Sequence, residues 1–387
     1  MGLRTLAGLA ALCAAACGPA PEAQREPEIA LQDCQRLELR DADTDAPIIG
    51  AEDVDFHAPS GRLYLSAYDR MAARGALKRG ERPPQGGLYA LRPPKASGSW
   101  PTAAQPVLRP SDWPDGLWPH GFVVSGDADW LAITVINRSF APSEAGPVEP
   151  RLPSLAVGRL DGDVDAMSWS PVPSGPILAS EAFCSVNDVA VMGERVVVTL
   201  DRRRCGAGGF SDDVRGHAGG ALVRSPNGLE DFKVAASGLA FANGIAAAPP
   251  SLTDGDAVLV ALTRGKRLAL FADADLARGN AQPRRTFKLP AAPDNLSIDG
   301  GAALAAAHPN LLRLAIHRRG WFGHTAPSEV WRIELKTGAA RLVLRDPSGR
   351  VFSGATSAVR AGDWLAVGSA TDAGVLVCPY PAPGGDA

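Results

Sequence analysis

Val186-Asn187-Asp188-Val189-Ala190-Val191 is the clearest of six stretches in which short polar residues stand directly before an apolar run. The other five are Ala51-Glu52-Asp53-Val54, Pro119-His120-Gly121-Phe122, Ala242-Asn243-Gly244-Ile245, Pro293-Asp294-Asn295-Leu296 and Ser353-Gly354-Ala355-Thr356. The copies align on Glu52, His120, Asn187, Asn243, Asp294 and Gly354, which lie 68, 67, 56, 51 and 60 residues apart, about the length of one supersecondary unit in a repeat protein. Each such unit hides its apolar face only by packing on its neighbours. The chain is therefore expected to form one closed array of similar units.

Short β-like runs follow each stretch and predict the structure inside one unit. Residues 62–67 come after the turn-forming triplet Pro59-Ser60-Gly61, and residues 189–192 and 196–200 flank Gly193 as the two strands of a hairpin would. Weaker runs further out, such as residues 87–91, bring each copy to about four strands, which is the composition of a propeller blade. The sequence therefore predicts an all-β protein, a six-bladed β-propeller over residues 34–380 with a C-terminal tail at 381–387.

The composition argues against nucleic acid as a partner. The 387 residues carry a net charge of −3, and no sustained stretch of Lys and Arg interrupts this balance. Phosphate binding needs clustered basic side chains, so no nucleic-acid partner is expected.

The N-terminus has the pattern of an export signal. Arg4 precedes an apolar stretch over residues 6–17, which is too short to span a bilayer but has the length of a signal core. Ala14-Ala15-Ala16-Cys17-Gly18 resembles a bacterial lipoprotein processing site with Cys17 as the lipidated residue, and simple cleavage of the leader 1–17 is the alternative. Residues 18–33 would be a flexible tether. We expect a periplasmic or cell-surface protein, anchored to the membrane through Cys17.

Four further cysteines can be read as two pairs if the protein is exported to an oxidising compartment. Cys34 precedes the first copy and Cys378 lies near the chain end, so a disulfide between them would fasten the two ends of the ring. Cys184 and Cys205 bracket two predicted strands, which places them at the same end of a hairpin. Buried free thiols are the alternative for each pair.

In a closed ring, equivalent positions of all copies face one axis, so oxygen atoms from distant parts of the chain converge there. Two carboxylates and three amides make up the first such set, which resembles the oxygen-only shell that calcium prefers and lacks the Cys or His of a zinc site. Its members are Glu52, Asn187, Asn243, Asp294 and Asn295. The second set is offset by one residue and predicts a more buried calcium bound by Asp53, Asp188 and the carbonyl of Phe122. A single Asn-Gly or Asn-Asp is typical of a turn, but recurrence at one repeat position favours ligands.

His120 occupies the equivalent position in the second copy and is therefore expected to face the same channel. A histidine beside a polarised carbonyl could activate water, because its unperturbed pKa lies near neutrality. A buried, hydrogen-bonded structural histidine is the alternative. His308 ends a predicted strand and either lines the channel or is structural.

Together these motifs resemble the paraoxonase/arylesterase family, relatives of the gluconolactonase-type propellers, from about Cys34 to Cys378. The resemblance rests on Glu52-Asp53, Pro119-His120-Gly121, Val186-Asn187-Asp188-Val189-Ala190-Val191, Phe241-Ala242-Asn243-Gly244-Ile245, Asp294-Asn295-Leu296-Ser297-Ile298-Asp299, His308-Pro309-Asn310, Ser328-Glu329-Val330 and Ser353-Gly354-Ala355-Thr356.

The resemblance implies a six-bladed propeller with one catalytic and one structural calcium, the two sets above serving as ligands and Cys34 pairing with Cys378. It also implies hydrolysis of lactones and aryl esters. This chain departs from the family pattern at Arg138, which stands where the family places a second channel histidine and cannot relay a proton at working pH.

The sequence thus predicts a calcium-dependent hydrolase of lactones or aryl esters with His120 or Asp294 as the base. Two alternatives stay open. One is a calcium-stabilised binding or scaffold lipoprotein whose catalysis is weak or lost, which Arg138 favours. The other is a hydrolase of sugar lactones.

Overall fold

The structure is a computed structural model that describes residues 26–95, 98–113, 116–127, 130–138, 140–142, 148–150, 154–161, 168–171, 185–202, 218–321 and 323–381. Strands make up 51% and helices 11%, and the strands form a β-propeller arrangement. The predicted all-β class is confirmed, as is the propeller architecture.

Twenty-seven strands are assigned within the described ranges. They are β1 (Gln35–Leu37), β2 (Arg40–Asp41), β3 (Ala51–His57), β4 (Arg62–Ala67), β5 (Gly87–Leu91), β6 (Ala103–Leu108), β7 (Pro119–Gly126), β8 (Trp130–Asn137), β9 (Phe140–Pro142), β10 (Val148–Pro150), β11 (Ser154–Asp161), β12 (Ser168–Pro171), β13 (Val186–Met192), β14 (Arg195–Leu200), β15 (Gly220–Ser225), β16 (Lys233–Leu239), β17 (Ala242–Ala248), β18 (Ala257–Leu262), β19 (Arg267–Ala272), β20 (Arg285–Lys288), β21 (Ala292–Asp299), β22 (Ala302–His308), β23 (Ser328–Glu334), β24 (Ala340–Asp346), β25 (Ala355–Ala361), β26 (Trp364–Ser369) and β27 (Val375–Pro379).

Three α-helices connect strands within that part of the chain: α1 (Arg70–Lys78), α2 (Asp273–Arg278) and α3 (Leu311–Arg318). The carboxylate of Asp69 caps α1 by accepting the backbone N–H groups of Met71 and Ala72. The side chain of Asn310 caps α3 in the same way, by accepting the backbone N–H group of Arg313. Both helices follow the second strand of their sheet, so they lie at the same end of the ring.

The strands form six sheets of four or five strands and one two-stranded ribbon, β9–β10, within the described residues. The orders of the larger sheets are β2-β6-β5-β4-β3, β12-β11-β8-β7, β13-β14-β15-β16, β17-β18-β19-β20, β21-β22-β23-β24 and β1-β27-β26-β25. The first strand of each sheet in the repeat contacts the first strand of the next, in the closed cycle β3, β7, β13, β17, β21, β25 and back to β3. The propeller has five recognisable blades, against the six expected from the sequence.

Each inner strand contains an irregularity of register at the polar stretch that the sequence singled out. In β3, Ala51 pairs with Ala67 of β4, and the next paired residue, Asp53, pairs with Ser66. Glu52 is therefore the additional residue of a β-bulge. The inner strands β7, β13, β17 and β21 shift at the same place. In β25 the additional residue is Thr356, so the sixth copy aligns on Thr356 and not on Gly354.

The apolar core lies between adjacent sheets, as expected of a stacked repeat. Leu259 of β18 and Trp331 of β23 belong to one buried cluster that joins the fourth sheet to the fifth. Leu304 of β22 and Leu365 of β26 belong to another, which joins the fifth sheet to the sixth. The sheets are thereby held by their neighbours around the ring.

The two ends of the chain meet in the last sheet. β1 pairs antiparallel with β27, and Cys34 and Cys378 form a disulfide beside this pairing, as predicted. The tether boundary at residue 33 needs correction, because Glu28 and Ile29 already donate backbone hydrogen bonds to Leu342 and Val343 of β24. The packed part of the chain therefore begins before Cys34.

Replacing both disulfide cysteines, as Cys34→Ala/Cys378→Ala, is expected to lower the free energy of unfolding by about 2–5 kcal/mol. The bond closes a loop with a sequence separation of 344 residues, and cross-links over long loops restrict the unfolded chain most. Denaturant unfolding followed by tryptophan fluorescence measures the change. An unfolding free energy equal to that of the wild type would show that strand pairing alone closes the ring.

Several predictions concern residues outside the described ranges: the lipidation of Cys17, the leader 1–17, most of the tether, the pairing of Cys184 with Cys205, and most of the tail at 381–387. These stay predictions. In the described part of the chain, none of the helices combines the length and apolar character needed to cross a membrane.

Candidate functional site

Four of the five residues predicted for the first ion line one cavity of about 360 Å³, together with His120. The four are Glu52, Asn187, Asn243 and Asp294, which come from four different sheets. Each sits on the bulge of its inner strand, which explains how residues so distant in sequence reach one place. The predicted convergence at the hub of the ring is present in the structure.

Several amide atoms at this hub are buried without a hydrogen-bond partner. They are Oδ1 of Asn187, Oδ1 of Asn243, and both Oδ1 and Nδ2 of Asn295, which follows Asp294 on the same bulge but does not itself line the cavity. A buried polar atom without a partner is costly, and a bound ion would satisfy a cluster of such atoms. Oxygen atoms in this state fit a hard cation.

Glu52 is held by two cationic or hydrogen-bonding neighbours. Its Oε2 lies 2.6 Å from Nδ1 of His120 and 3.2 Å from Nη2 of Arg70. Burial alone would raise the pKa of Glu52, but the contacts with His120 and Arg70 outweigh burial and hold that pKa well below its usual range. Glu52 is therefore an anion in the folded protein.

Burial and the nearby guanidinium of Arg138 lower the pKa of His120 to about 3, against the opposing effect of Glu52. His120 is therefore neutral at pH 7. Nη2 of Arg70 also lies 3.1 Å from Nδ1 of His120, and we take its hydrogen bond to go to Oε2 of Glu52, 3.2 Å away. We assign the single ring proton to Nδ1, because the short contact with the carboxylate needs a donor. Nε2 is then the nitrogen able to accept a proton, and the lowered pKa makes it a weaker base than the near-neutral imidazole expected from the sequence.

Asp294 is paired with the other candidate histidine. Nε2 of His308 donates to Oδ2 of Asp294 at 2.7 Å, and Nδ2 of Asn243 donates to Oδ1. His308 is almost fully buried, and its Nδ1 has no partner among the described residues. It lines a second cavity that adjoins the first, so His308 does face the channel region.

The second predicted set is also assembled. Asp53, Asp188 and Phe122 line a separate cavity together with Asp55. Asp53 accepts the backbone N–H of Phe122 at 3.1 Å, and Asp188 accepts that of Ile245 at 2.8 Å, so each carboxylate ties its own inner strand to the next one.

Burial raises the pKa values of Asp53 and Asp188 well above the usual range, and the nearby carboxylates add to the effect through repulsion. Buried carboxylates that repel each other in this way are an arrangement that a divalent cation would relieve. Both sets therefore fit calcium by donor chemistry. Within the described residues, no cluster of three or more His, Cys, Asp or Glu side chains has a metal-binding arrangement, so each proposed shell depends on amide or carbonyl oxygens as well.

Apart from Arg138, the arginines around the cavity were not predicted from the sequence. Arg70, Arg74, Arg138, Arg202 and Arg318 line it, and Arg138 donates to the Val186 carbonyl at 3.2 Å. Arg138 and His120 line the same cavity, so the departure from the family pattern lies inside the site. A signal was present, since several of these arginines directly follow the second strand of a sheet.

Two glycines let neighbouring inner strands approach at the hub. A Cβ on Gly244 would lie 2.4 Å from the Cα of Asn295, and one on Gly121 would lie 2.4 Å from Oδ1 of Asp188. Real Cβ atoms do not come so close, so both positions require glycine for space. The glycines of these polar stretches are thus part of the geometry that brings the ligands together.

Gly244→Ala is expected to lower the free energy of unfolding by about 3 kcal/mol, because the backbone of β21 would have to move away from β17. Gly301→Ala is the matched control, since a Cβ there meets nothing within 4 Å, and we expect a change below about 0.5 kcal/mol. Denaturant unfolding of both variants measures the difference. Equal stabilities would show that the strands are not in close contact at Gly244.

No protein-family model matches the sequence, and no curated protein matches it. Among solved structures, the fold is similar to that of a gluconolactonase from Xanthomonas campestris, with 16% sequence identity and a TM-score of 0.52 over 94% of this chain and 98% of that chain. A catalytically inactive virginiamycin B lyase from Staphylococcus aureus matches 89% of this chain and 98% of its own, at 10% identity and a TM-score of 0.43. At 16% identity the first similarity shows the propeller fold alone.

Proposed function

We propose that this protein is a calcium-dependent hydrolase of lactones. The observation that carries the proposal is the cluster of unpartnered, buried amide oxygens of Asn187, Asn243 and Asn295 beside the carboxylates of Glu52 and Asp294. These five residues would hold the first ion. Asp53, Asp188 and the Phe122 carbonyl would hold a second, structural one. The gluconolactonase fold similarity supports lactones as the first class to test, and the sequence resemblance adds aryl esters.

Calcium bound by the first set would supply Lewis-acid polarisation of a substrate carbonyl. The chain's own residues supply proton transfer. His120 keeps its proton on Nδ1 through the contact with Glu52, so Nε2 is able to accept a proton from an attacking water. Asp294 is less suited to this role, because one of its oxygens accepts from His308 and the other from Asn243. We therefore propose His120 as the general base and Asp294 as a ligand.

A panel of γ- and δ-lactones, sugar lactones and phenyl acetate, assayed with and without a calcium chelator, tests this function. We expect lactone hydrolysis that a chelator abolishes and added calcium restores. His120→Ala is expected to lower kcat by about 100-fold while leaving the unfolding transition in place. Hydrolysis insensitive to chelator, or none on any member of the panel, would reject the proposal.

A binding or scaffold role is the second candidate, and the observation that favours it is Arg138. Its guanidinium lies near His120 where a second proton-relaying group would otherwise stand. In that case calcium would stabilise the ring, and the cavity would hold a ligand without turning it over. The His120→Ala variant separates the two roles, since only an enzyme loses turnover.

Two further features belong to this proposal. We propose six blades, one for each of the six larger sheets and each inner strand of the closed cycle. We also propose an exported lipoprotein held on a membrane surface through Cys17. Substitution of Cys17 by alanine is then expected to move the protein from the membrane fraction to the soluble fraction of cells.

A further inference from the structure

Arginines recur at one position of the ring. Arg70, Arg138, Arg202 and Arg264 each follow the second strand of a sheet within three residues, after β4, β8, β14 and β18. In the fifth sheet, helix α3 follows the second strand and ends on Arg318. The second strands all end at the same side of the ring, so this repetition concentrates positive charge at one end of the channel.

Two adjoining cavities receive these side chains. The first, of about 360 Å³, contains the proposed calcium ligands, and the second, of about 390 Å³, shares Asn243 and Asp294 with it. Arg74, Arg202 and Arg318 line both, and Arg264 and Arg319 line the second. A ligand that reaches the hub therefore passes between arginines on several sides.

The carboxylates of the first cavity are already engaged with arginines. They form three ion pairs, Arg70 with Glu52 at 3.2 Å, Arg202 with Asp201 at 3.0 Å, and Arg318 with Asp294 at 3.9 Å. Two of these carboxylates, Glu52 and Asp294, are also the ones expected to bind a divalent ion. Once they share their charge with a cation, the cavity carries a large excess of positive charge.

The excess of positive charge is clearest at Arg138 and Arg74. Within the described residues, the guanidinium of Arg138 donates one hydrogen bond, to the Val186 carbonyl, and its buried Nε has no partner. Nε of Arg70 is in the same state. Burial lowers the pKa of Arg138 and of Arg74, and repulsion by other arginines adds to it: Arg70 acts on Arg138, and Arg319 and Arg318 act on Arg74. Guanidinium groups brought together against this repulsion are suited to binding an anion.

We propose that the substrate carries an anionic group, a carboxylate or a phosphate, which binds to Arg138 and Arg70 next to His120. This inference rests on the hydrolase function proposed above and names its substrate class, an anionic lactone or ester. Both arginines flank the histidine, so an anion held there places the rest of a small ligand against the proposed base and the calcium ligands. The planar guanidinium fork gives such an anion a fixed orientation.

The test compares γ-carboxy-γ-butyrolactone with its carboxamide, which has the same ring and nearly the same size but no charge. The phosphate ester of γ-hydroxymethyl-γ-butyrolactone is the third substrate. The proteins are the wild type, Arg138→Met, Arg138→Lys and the control Arg267→Met, which changes an exposed arginine at the start of β19. Thermal unfolding of each variant shows that it is folded.

We expect the wild type and Arg267→Met to hydrolyse the anionic lactone with a kcat/KM about 30-fold above that of the carboxamide. Arg138→Met should reduce this ratio to within about threefold, and Arg138→Lys should restore part of it; the ratio is the readout because loss of Arg138 also changes the surroundings of His120. The better of the two charged substrates identifies the anion as carboxylate or phosphate. Equal rates on charged and neutral lactones, or a preference that survives Arg138→Met, would overturn the inference.

A binding measurement separates failure of this inference from failure of the hydrolase function. Tetrahydrofuran-2-carboxylate and its carboxamide lack the reactive lactone carbonyl, and calorimetry measures their affinity for the protein. If no lactone is hydrolysed, the hydrolase function fails, but tighter binding of the carboxylate that depends on Arg138 would still support anion recognition. Equal affinity for the two compounds would contradict it.

Discussion

Asp294→Asn is expected to lower kcat/KM for lactone hydrolysis by at least about 100-fold. Asp294 supplies one of the two carboxylates of the first site, and its oxygens also contact His308 and Asn243. Asparagine keeps the shape but removes the charge, so calcium affinity and carbonyl polarisation should both fall. Steady-state kinetics at saturating calcium, corrected for the folded fraction, measure the loss.

Asp273→Asn is the matched control, because Asp273 is a buried carboxylate that pairs with Arg195 and Arg224 and does not line either cavity of the site. Breaking its pairs should lower stability by about 3 kcal/mol but leave kcat/KM per folded molecule unchanged. Activity of Asp294→Asn within threefold of the wild type would remove Asp294 from the mechanism.

Asp188→Asn is expected to lower the melting temperature strongly when calcium is present and much less when calcium is absent. With an ion bound by Asp53 and Asp188, the variant loses a charged ligand, and we expect the melting temperature to fall by roughly 10 °C. Without calcium the two buried carboxylates repel each other, and the same substitution relieves that repulsion. The lost acceptor for a backbone N–H of Val189 or Ile245 then accounts for the remaining cost.

Thermal unfolding of the wild type and Asp188→Asn, each in calcium and in chelator, gives four melting temperatures. We expect the difference in melting temperature between the two proteins to narrow or reverse when calcium is removed. A difference that is the same under both conditions would show that Asp188 acts only through its backbone hydrogen bonds, and that no ion binds there.

The polar positions at the hub could be predicted from the sequence because they recur directly before the apolar run of each inner strand. Glu52, Asn187, Asn243 and Asp294 each stand at the bulge of an inner strand, and the apolar run that follows fixes the strand in the sequence. The Cys34–Cys378 disulfide was predictable because a ring must be closed where its ends meet. In the sixth copy the stretch lacks a charged or amide side chain, and the alignment was wrong by two residues, at Gly354 instead of Thr356.

The arginines that line the cavity from helices could not be predicted from the sequence. Arg74 and Arg318 lie on helices inserted after the second strand of two sheets, and the direction in which such a helix presents its side chains depends on how it docks. The periodicity of the sequence does not indicate how these helices dock on the propeller. The packing of Glu28 and Ile29 on β24 was missed as well, because a segment rich in proline and glutamate has the composition of a tether even when its backbone is paired.

Calorimetric titration of calcium into chelator-treated protein measures whether the two oxygen-rich sets bind ions. We expect two sites per chain in the wild type, loss of the first in a Glu52→Gln/Asn243→Leu variant, and retention of the second in that variant. A titration without calcium binding to the folded wild type would contradict the account, because the unpartnered oxygens at the hub would then have no ion to satisfy them.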